Sequence, residues 1–196
     1  YNQAVDNYMD EKLSAKKKPN DKGYKKGKHY TGKEHSWDEA FGYFGAAAHG
    51  LTLSAKQNYE VAKLGKKSKS AEAALKLADY NGDGVIDLYR EMNYAHAYYA
   101  SAYDKKGKTS YYKDIVQGFI NGRKLITSAG GEKLSNEQRS KLRAIAADIE
   151  SNWEKVIAES VFKYAGSVYK DLEKLNVIMD SNGNIDKVFR KYGKHW

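Results

Sequence analysis

The spacing of apolar residues, in a chain with a single proline, constrains the fold of this protein more than any other feature of its sequence. Proline breaks the interior of a helix, so its near absence over 196 residues leaves long stretches free to be helical. Apolar side chains recur three and four residues apart, and strand-like alternation is nearly absent. We therefore predict an all-α fold, a helical bundle forming a single domain over residues 1–196.

Helix limits follow from capping signals and turn residues. Ser135 and Gln138 form a capping box that opens the longest periodic pattern. Gly50 is expected to close the helix that contains Trp37. The predicted helices cover residues 2–15, 37–48, 52–64, 70–79, 87–104 and 110–128, and a long one runs from 135 beyond 175.

Residues 79–91 carry the pattern of a calcium-binding loop between two helices. Side-chain oxygens alternate along it, and Gly84 stands where an EF-hand loop turns sharply. Position 12 of such a loop is Arg90 here instead of glutamate, but on a helix that begins near Asp87 the next residue, Glu91, could still close the site. An Asp- and Asn-rich turn that caps this helix is the alternative. The predicted Ca²⁺ ligands are Asp79, Asn81, Asp83, the carbonyl of Val85, Asp87 and Glu91.

A second group of polar residues surrounds His35. Its i, i+4 spacing from Glu39 is that of a helical metal-ligand pair. Two helix starts compete, because Ser36 to Glu39 and Thr31 to Glu34 each form a capping box. The earlier start alone places His35 and Glu39 on one helix, so a structural role as a helix start stays open. The candidate ligand or metal site consists of His35, Asp38, Glu39 and His49.

The positive charge of the chain is concentrated in one segment. Of a net charge of +9, residues Lys16 to Lys33 hold eight lysines and one acid, Asp21. Because the segment also contains Pro19 and three glycines, we predict a flexible basic loop over residues 16–33. Nucleic-acid binders more often interleave arginine with aromatic residues on an ordered face, so nucleic acid is an unlikely partner. Binding of another polyanion through this loop remains an alternative function.

Composition excludes several kinds of chemistry. Without cysteine the chain has no disulfide, no thiolate zinc site and no thiol nucleophile. No apolar run approaches the length of a transmembrane helix, and neither a nucleophile elbow nor a phosphate-binding loop is present. These observations favour a protein that is not an enzyme.

The segment from Lys33 to Gly45, KEHSWDEAFGYFG, resembles the signature of a bacterial envelope-protein family, domain of unknown function 4856. The tract from Ile86 to Trp153 is also similar to the helical region of that family. The resemblance implies that the chain is the C-terminal portion of a longer envelope protein in the periplasm or at the outer-membrane surface. It also implies a lipid anchor on a preceding N-terminal part and a partner protein in the envelope.

A more distant similarity links the chain to the imelysin-like iron-regulated proteins. Their G-x-H-x-x-E motif is matched most closely by Gly32 to Asp38, where the glycine is one residue too far from His35 and the acid is Asp38. This resemblance implies iron as a metal for the His35 site, and imidazole with carboxylate also suits zinc.

Together these observations predict a non-enzymatic, Ca²⁺-stabilised helical binding protein of the bacterial envelope, with a site for an unidentified ligand or metal near His35. A metal-dependent hydrolase that uses His35 and Glu39 is the alternative from another class. It would need a third ligand, for which His49 and His96 are the candidates, and a bound water.

Overall fold

The computed structural model describes residues 1–64 and 71–180, and these fold, as predicted, into an all-α structure. Within these ranges the regular elements are helical, and the strand-like feature is an isolated bridge between Gly23 and Thr31. The elements are a π-type N-terminal helical segment Gln3–Asp10, 3₁₀ turns at Glu11–Leu13 and Gly50–Thr52, and the helices α1 (Gly32–Phe44), α2 (Ala55–Ala62), α3 (Ala71–Ala78), α4 (Ala95–Asp104), α5 (Tyr111–Ser128) and α6 (Asn136–Asp180).

Helix α1 begins at the earlier of the two predicted starts and ends before the predicted Gly50. Thr31 is its N-cap, accepting a hydrogen bond from the Glu34 N–H while the Glu34 carboxylate accepts one from the Thr31 N–H. At the other end Gly45 adopts φ 83° and terminates the helix. A Cβ atom at Gly45 would lie 2.8 Å from the Tyr94 carbonyl oxygen, so both the conformation and the close approach require glycine.

The helix predicted over residues 87–104 is wrong in its first part, because α4 starts only at Ala95. The residues before it pair with the segment that follows α1. Tyr94 N–H donates to the Gly45 carbonyl at 2.9 Å, and Ala48 N–H donates to the Arg90 carbonyl at 2.7 Å. These long-range hydrogen bonds take the backbone groups that a continuous helix would have used.

The chain divides into two compact units, Tyr1–Val156 and Ile157–Trp196. In its described part, which ends at Asp180, the second unit consists of the C-terminal portion of α6. Val161, Phe162 and Tyr169 are each more than half exposed there. The candidate sites all lie in the first unit. No helix of the described ranges combines the length and the apolar character needed to cross a bilayer.

Aromatic side chains form the centre of the first unit. Trp37 and Trp153 are almost completely buried, and the Trp37 indole N–H donates to the Phe119 carbonyl at 2.7 Å. The rings of Phe44 and Trp153 meet edge to face at 5.1 Å. Gly122 makes room for Trp37, because a Cβ there would lie 2.1 Å from the indole ring. Helix α6 contributes the buried stripe Leu142, Ala146, Ile149, Trp153 and Val156.

The predicted basic loop, residues 16–33, is attached to the body of the first unit at specific points. The buried Asn20 amide donates to the carbonyls of Ile126 and Glu132, at 3.2 and 2.9 Å, and accepts a hydrogen bond from the Thr31 hydroxyl at 2.7 Å. The buried Lys33 ammonium donates to three main-chain carbonyls within residues 12–17. These contacts attach the loop at Asn20 and near its two ends, and its flexibility between them stays a prediction.

Candidate functional site

In the predicted calcium loop, residues 79–91, the carboxylate of Asp79 organises the first half. Its Oδ1 accepts hydrogen bonds from the N–H groups of Gly82 and Asp83, at 2.9 and 3.1 Å, and its Oδ2 accepts one from Gly84 at 3.0 Å. Gly82 and Gly84 both have positive φ, 73° and 78°, a conformation that favours glycine. The local sequence thus folds this half into a tight turn around one carboxylate.

The other polar side chains of the loop are also turned back onto its backbone. Asn81 Oδ1 accepts from the Asp83 N–H at 2.9 Å, Asp83 Oδ1 accepts from the Val85 N–H at 2.8 Å, and Asp87 Oδ1 accepts from the Tyr89 N–H at 2.8 Å. These are Asx turns, in which a side-chain oxygen replaces a backbone acceptor. Each of these oxygens has two lone pairs, so it can accept a second interaction besides the hydrogen bond from the backbone N–H.

Glu91 holds the two ends of the loop together, but it does so without the predicted helix from Asp87, since α4 begins only at Ala95. The side chain is only 4% exposed. Its Oε1 accepts from the N–H groups of Tyr80 and Asn81, at 3.0 and 3.3 Å, and its Oε2 accepts from the Asp87 N–H at 2.8 Å. One buried carboxylate therefore ties the beginning of the loop to its end.

Within residues 1–64 and 71–180, no three His, Cys, Asp or Glu side chains form a group that could hold a metal ion. A cation in the loop would thus depend on the amide oxygen of Asn81 and the carbonyl of Val85 in addition to carboxylates, as in the predicted ligand set. The predicted ligands Asp79, Asn81, Asp83, Val85, Asp87 and Glu91 lie in this one loop, so the donor types suit a hard, oxygen-seeking cation.

His35 lies on α1 with Glu39, as the earlier of the two predicted helix starts requires. Its Nε2 lies 3.3 Å from Glu39 Oε1. The imidazole packs against the rings of Tyr24 and Tyr30, with centroid distances of 3.6 and 5.6 Å. Two tyrosines of the basic loop thus cover the ring of His35 on the protein surface.

Asp38 has a different partner. The Arg123 side chain on α5 donates from Nε to the Asp38 carboxylate at 2.9 Å and from Nη1 to the buried Glu34 at 2.7 Å. Burial raises the pKa of Glu34, but hydrogen bonds from Thr31, Thr127 and Arg123 outweigh it and lower the pKa overall. Asp38 and Glu34 therefore belong to an ion-pair network that joins α1 to α5.

His49, the fourth predicted member of the His35 site, lies in another environment. It is 5% exposed, its Nε2 lies 2.9 Å from the Leu77 carbonyl oxygen, and its ring stacks on Tyr80 at 4.9 Å. The stacking places His49 beside the start of the predicted calcium loop. In the structure His35 therefore lies next to Glu39, whereas Asp38 and His49 have other partners.

Sequence reasoning missed a buried polar network next to the predicted calcium loop. Asn93 Oδ1 accepts hydrogen bonds from the Tyr112 hydroxyl at 2.6 Å and from the Ala47 N–H at 2.8 Å, and its amide nitrogen donates to Asn58 Oδ1 at 3.0 Å. Asn58 donates onward to the Gly50 carbonyl at 2.7 Å. A lone asparagine has no periodic or spacing signal, so only the tertiary structure identifies this network.

The network borders a cavity of about 280 Å³, close to the lower limit of small-molecule pockets. Asp104 is a buried charged residue at its wall, where it accepts hydrogen bonds from the Thr109 hydroxyl and from the first two N–H groups of α5. Burial raises the pKa of this carboxyl group, and these hydrogen bonds oppose the increase. The lining includes Gly50, Leu53, Ser54, Asn58, Asp104 and Tyr112.

Comparison with known proteins confirms part of the predicted relationship. Residues 1–81 match the family model described as Domain of unknown function (DUF4856), a range that includes α1 to α3 and the first three residues of the calcium loop. The tract from Ile86 to Trp153 lies outside the matched residues. No curated protein and no solved structure matches the chain significantly.

Proposed function

We propose, starting from the match of residues 1–81 to a family of unknown function, that this chain is a non-enzymatic helical binding protein whose loop at residues 79–91 takes up one Ca²⁺. The observation that carries the proposal is the closure of this loop by two carboxylates. Asp79 accepts hydrogen bonds from N–H groups of its first half, and Glu91 joins Tyr80 and Asn81 to Asp87. The backbone thus already follows a tight turn around oxygen-rich side chains.

The negative charge of the loop favours the binding of a cation. Asp79, Asp83, Asp87 and Glu91 place four carboxylates within 13 residues, and Arg90 is the basic residue among them. Arg90 Nε lies 3.7 Å from Asp87 Oδ2, and its side chain is 81% exposed, so it offsets little of this charge. A divalent cation would offset the repulsion and accept the lone pairs that the N–H groups leave free.

The proposed role of the cation is to hold the wall of the cavity. Glu91 lies within residues 90–94, a segment that pairs with residues 45–48 through the hydrogen bonds of Ala48 and Tyr94. Asn93 in this segment also anchors Tyr112 and Asn58 beside the cavity. A cation that fixes Glu91 would therefore restrict the motion of the polar network and keep the cavity open to its ligand.

A location in the bacterial envelope, with a lipid anchor on a preceding part of the protein, completes the proposal. Its support is the family resemblance together with the chemistry of the loop. Because Arg90 occupies the position of the bidentate EF-hand glutamate, we expect weak Ca²⁺ affinity, in the range of about 10⁻⁴ to 10⁻³ M typical of extracellular modules. Such a site would be filled outside the cytoplasm, where Ca²⁺ is plentiful.

Thermal unfolding tests the proposal. At a Ca²⁺ concentration about 100 times the dissociation constant, binding to the folded state adds about 2.7 kcal/mol. For a chain of this length that increase should raise the Tm by about 5–10 °C. Asp83→Asn, which keeps the shape of the side chain but removes its charge, should abolish most of the shift. Asp148→Asn, an exposed carboxylate on α6, serves as the matched control and should retain the full response.

Equal Tm values with Ca²⁺ and with a chelator in the wild type would reject the calcium loop. If Ca²⁺ stabilises the wild type and Asp83→Asn equally, the cation binds elsewhere and the proposed ligand set is wrong. Isothermal titration calorimetry of the same three proteins gives the stoichiometry, which should be one.

A second candidate function is transition-metal binding at His35, favoured by the 3.3 Å distance between its Nε2 and Glu39 Oε1. Iron is the first metal to test and zinc the second, titrated after the calcium loop is saturated. His35→Ala and Glu39→Gln should each lower the affinity, and identical isotherms in all three proteins would exclude this site. The hydrolase alternative needs a third ligand, but His49 lies against the Leu77 carbonyl oxygen and His96 packs edge to face on Trp153 at 5.5 Å.

A further inference from the structure

Two lysine side chains from different helices converge on the ring of Tyr59. Lys105, which follows α4, places its Nζ 3.8 Å from the ring centroid, and Lys63, which follows α2, places its Nζ 5.1 Å from it. The separation of the two ammonium groups therefore cannot exceed the sum of these distances. Because this limit is close to the Debye length of about 8 Å at physiological salt, the repulsion between the two like charges is only partly screened.

Neither ammonium group forms an ion pair within the described residues. The carboxylate that acts on the charge of Lys63 is that of Glu60, three residues earlier on α2, and the two side chains form no ion pair. Asp104 directly precedes Lys105, but its buried carboxylate is held by Thr109 and the N-terminus of α5. The two positive charges thus lack a carboxylate partner.

The Tyr59 hydroxyl group adds a third polar atom to this surface. Burial raises the pKa of Tyr59, but hydrogen bonds and charge from Lys105 and Lys63 outweigh it and lower the pKa overall. The lowered pKa of Tyr59 reflects the excess of positive charge that the two lysines place near its phenol oxygen. Tyr98 packs beside Tyr59, with ring centroids 6.1 Å apart, and limits the positions that the Tyr59 ring can adopt.

We propose that Lys63, Lys105 and the hydroxyl group of Tyr59 form a binding site for an oxyanion, a phosphate or sulfate group that is either free or attached to a larger molecule. An oxyanion between the two ammonium groups would accept hydrogen bonds from both and from the phenol, and it would relieve their repulsion. Lys106 and Lys108 continue the positive surface beyond Lys105 and are exposed. This site is separate from the calcium loop and from the lysines of residues 16–33.

The binding of inorganic phosphate tests the proposal directly. The probe is titrated into the full chain at constant ionic strength, with chloride as the balancing anion, and the backbone amide shifts of Lys63 and Lys105 are followed by NMR. Saturable shifts at both amides are expected. Lys63→Gln and Lys105→Gln should each weaken binding by roughly tenfold, the loss of one charge-assisted hydrogen bond. Lys105→Arg should retain it, because the charge is kept.

Lys76→Gln is the matched control, since Lys76 is an exposed helical lysine whose partner is Glu72. It should leave phosphate binding unchanged. Tyr59→Phe removes only the hydroxyl group and should produce a smaller loss than either lysine variant. The Tm of each variant, measured without phosphate, separates loss of binding from loss of folding.

Two further arms identify the source of the oxyanion. Phosphatidylglycerol vesicles, compared with phosphatidylcholine vesicles, test a lipid headgroup, and heparin tests a sulfated polymer. If either probe displaces inorganic phosphate, as read from the amide shifts of Lys63 and Lys105, the site is supported and the class of its ligand is identified. Non-saturable shifts in the wild type, or phosphate binding that survives the Lys63→Gln/Lys105→Gln double variant in folded protein, would overturn the proposal.

Discussion

At the scale of single residues, the buried charged side chains each have a nearly complete set of hydrogen-bond partners. Lys33 is 2% exposed, and its ammonium donates to the carbonyls of Lys12, Ser14 and Lys17. Glu91 accepts three backbone N–H groups, and Asp104 accepts two together with a hydroxyl group. A buried charge is tolerated only when such partners replace water. In this protein these residues tie loops to helices.

Replacing Lys33 by methionine tests this role. The variant keeps most of the side-chain volume but leaves three carbonyls without their donor, so we expect a loss of about 2–4 kcal/mol in the free energy of unfolding. Lys141→Met is the control, because the Lys141 side chain is 64% exposed and pairs with Glu137. Urea denaturation at pH 7 measures both, and equal stabilities of Lys33→Met and the wild type would show that the carbonyls find other partners.

The same side chain predicts a pH dependence. Burial, together with Arg139 and Arg143, lowers the pKa of Lys33 to about 8, whereas an unfolded lysine titrates near 10.4. Between these values the unfolded chain binds more protons than the folded one, so the contribution of Lys33 to stability increases as the pH rises. The stability difference between the wild type and Lys33→Met should therefore widen from pH 8 to pH 10. Parallel pH profiles would contradict the lowered pKa.

At the scale of elements, the start of α1 decides what His35 can do. Both Thr31 and Ser36 begin a capping-box pattern, but Thr31 also bonds to the buried Asn20, which joins its helix end to the body of the first unit. Ser36 lies inside the helix, where its hydroxyl donates to the Gly32 carbonyl at 3.1 Å. The tertiary contact therefore favours the earlier start, which places His35 and Glu39 one turn apart.

This choice predicts effects of different size on the free energy of unfolding for two similar substitutions. Thr31→Ala removes the N-cap and the bond to Asn20, and should cost about 1–2 kcal/mol. Ser36→Ala removes an interior hydroxyl group and gains helix propensity, so its effect should stay within about 0.5 kcal/mol. Chemical denaturation of both variants measures the difference. If Ser36→Ala lowered the free energy of unfolding more than Thr31→Ala, the N-cap would be Ser36 and His35 would lie in the loop before the helix.

At the scale of the whole molecule, the first unit is held together by segments outside the main helices as well as by its core. The basic loop reaches α5 through Asn20, and residues 90–94 reach residues 45–48. Long surface loops usually cost little to change. Here the buried contacts of the loop make it part of the fold.

Two replacements separate the loop backbone from its charge. Exchanging residues 16–28 for a short Gly/Ser linker removes Asn20 and the Lys17 carbonyl, so we expect a lower Tm and a loss of at least about 2 kcal/mol. Changing only Lys25, Lys26 and Lys28 to serine should leave the Tm nearly unchanged, since these side chains are exposed. Calorimetric unfolding compares the two, and a linker variant as stable as the wild type would show that the loop is dispensable.

The sequence alone determined the fold class, because helix periodicity and near absence of proline are local properties that tertiary contacts did not reverse. Helices α2, α3 and α5 lie within or close to the predicted limits for the same reason. The alternation of oxygens also singled out Glu91 near the end of the loop, and its role as a Ca²⁺ ligand stays a prediction.

Only the tertiary structure decided where local signals were weak or balanced. Residues 87–94 lack helix because Gly45 and Ala48 bind their backbone, and those partners lie more than 40 positions away in the sequence. Likewise Asn93 became the centre of a buried polar network with Tyr112 and Asn58, and His49 was separated from the His35 pair by its contact with the Leu77 carbonyl. A long-range hydrogen bond depends on which segments lie next to each other in the fold, and the apolar periodicity of neither segment predicts that contact.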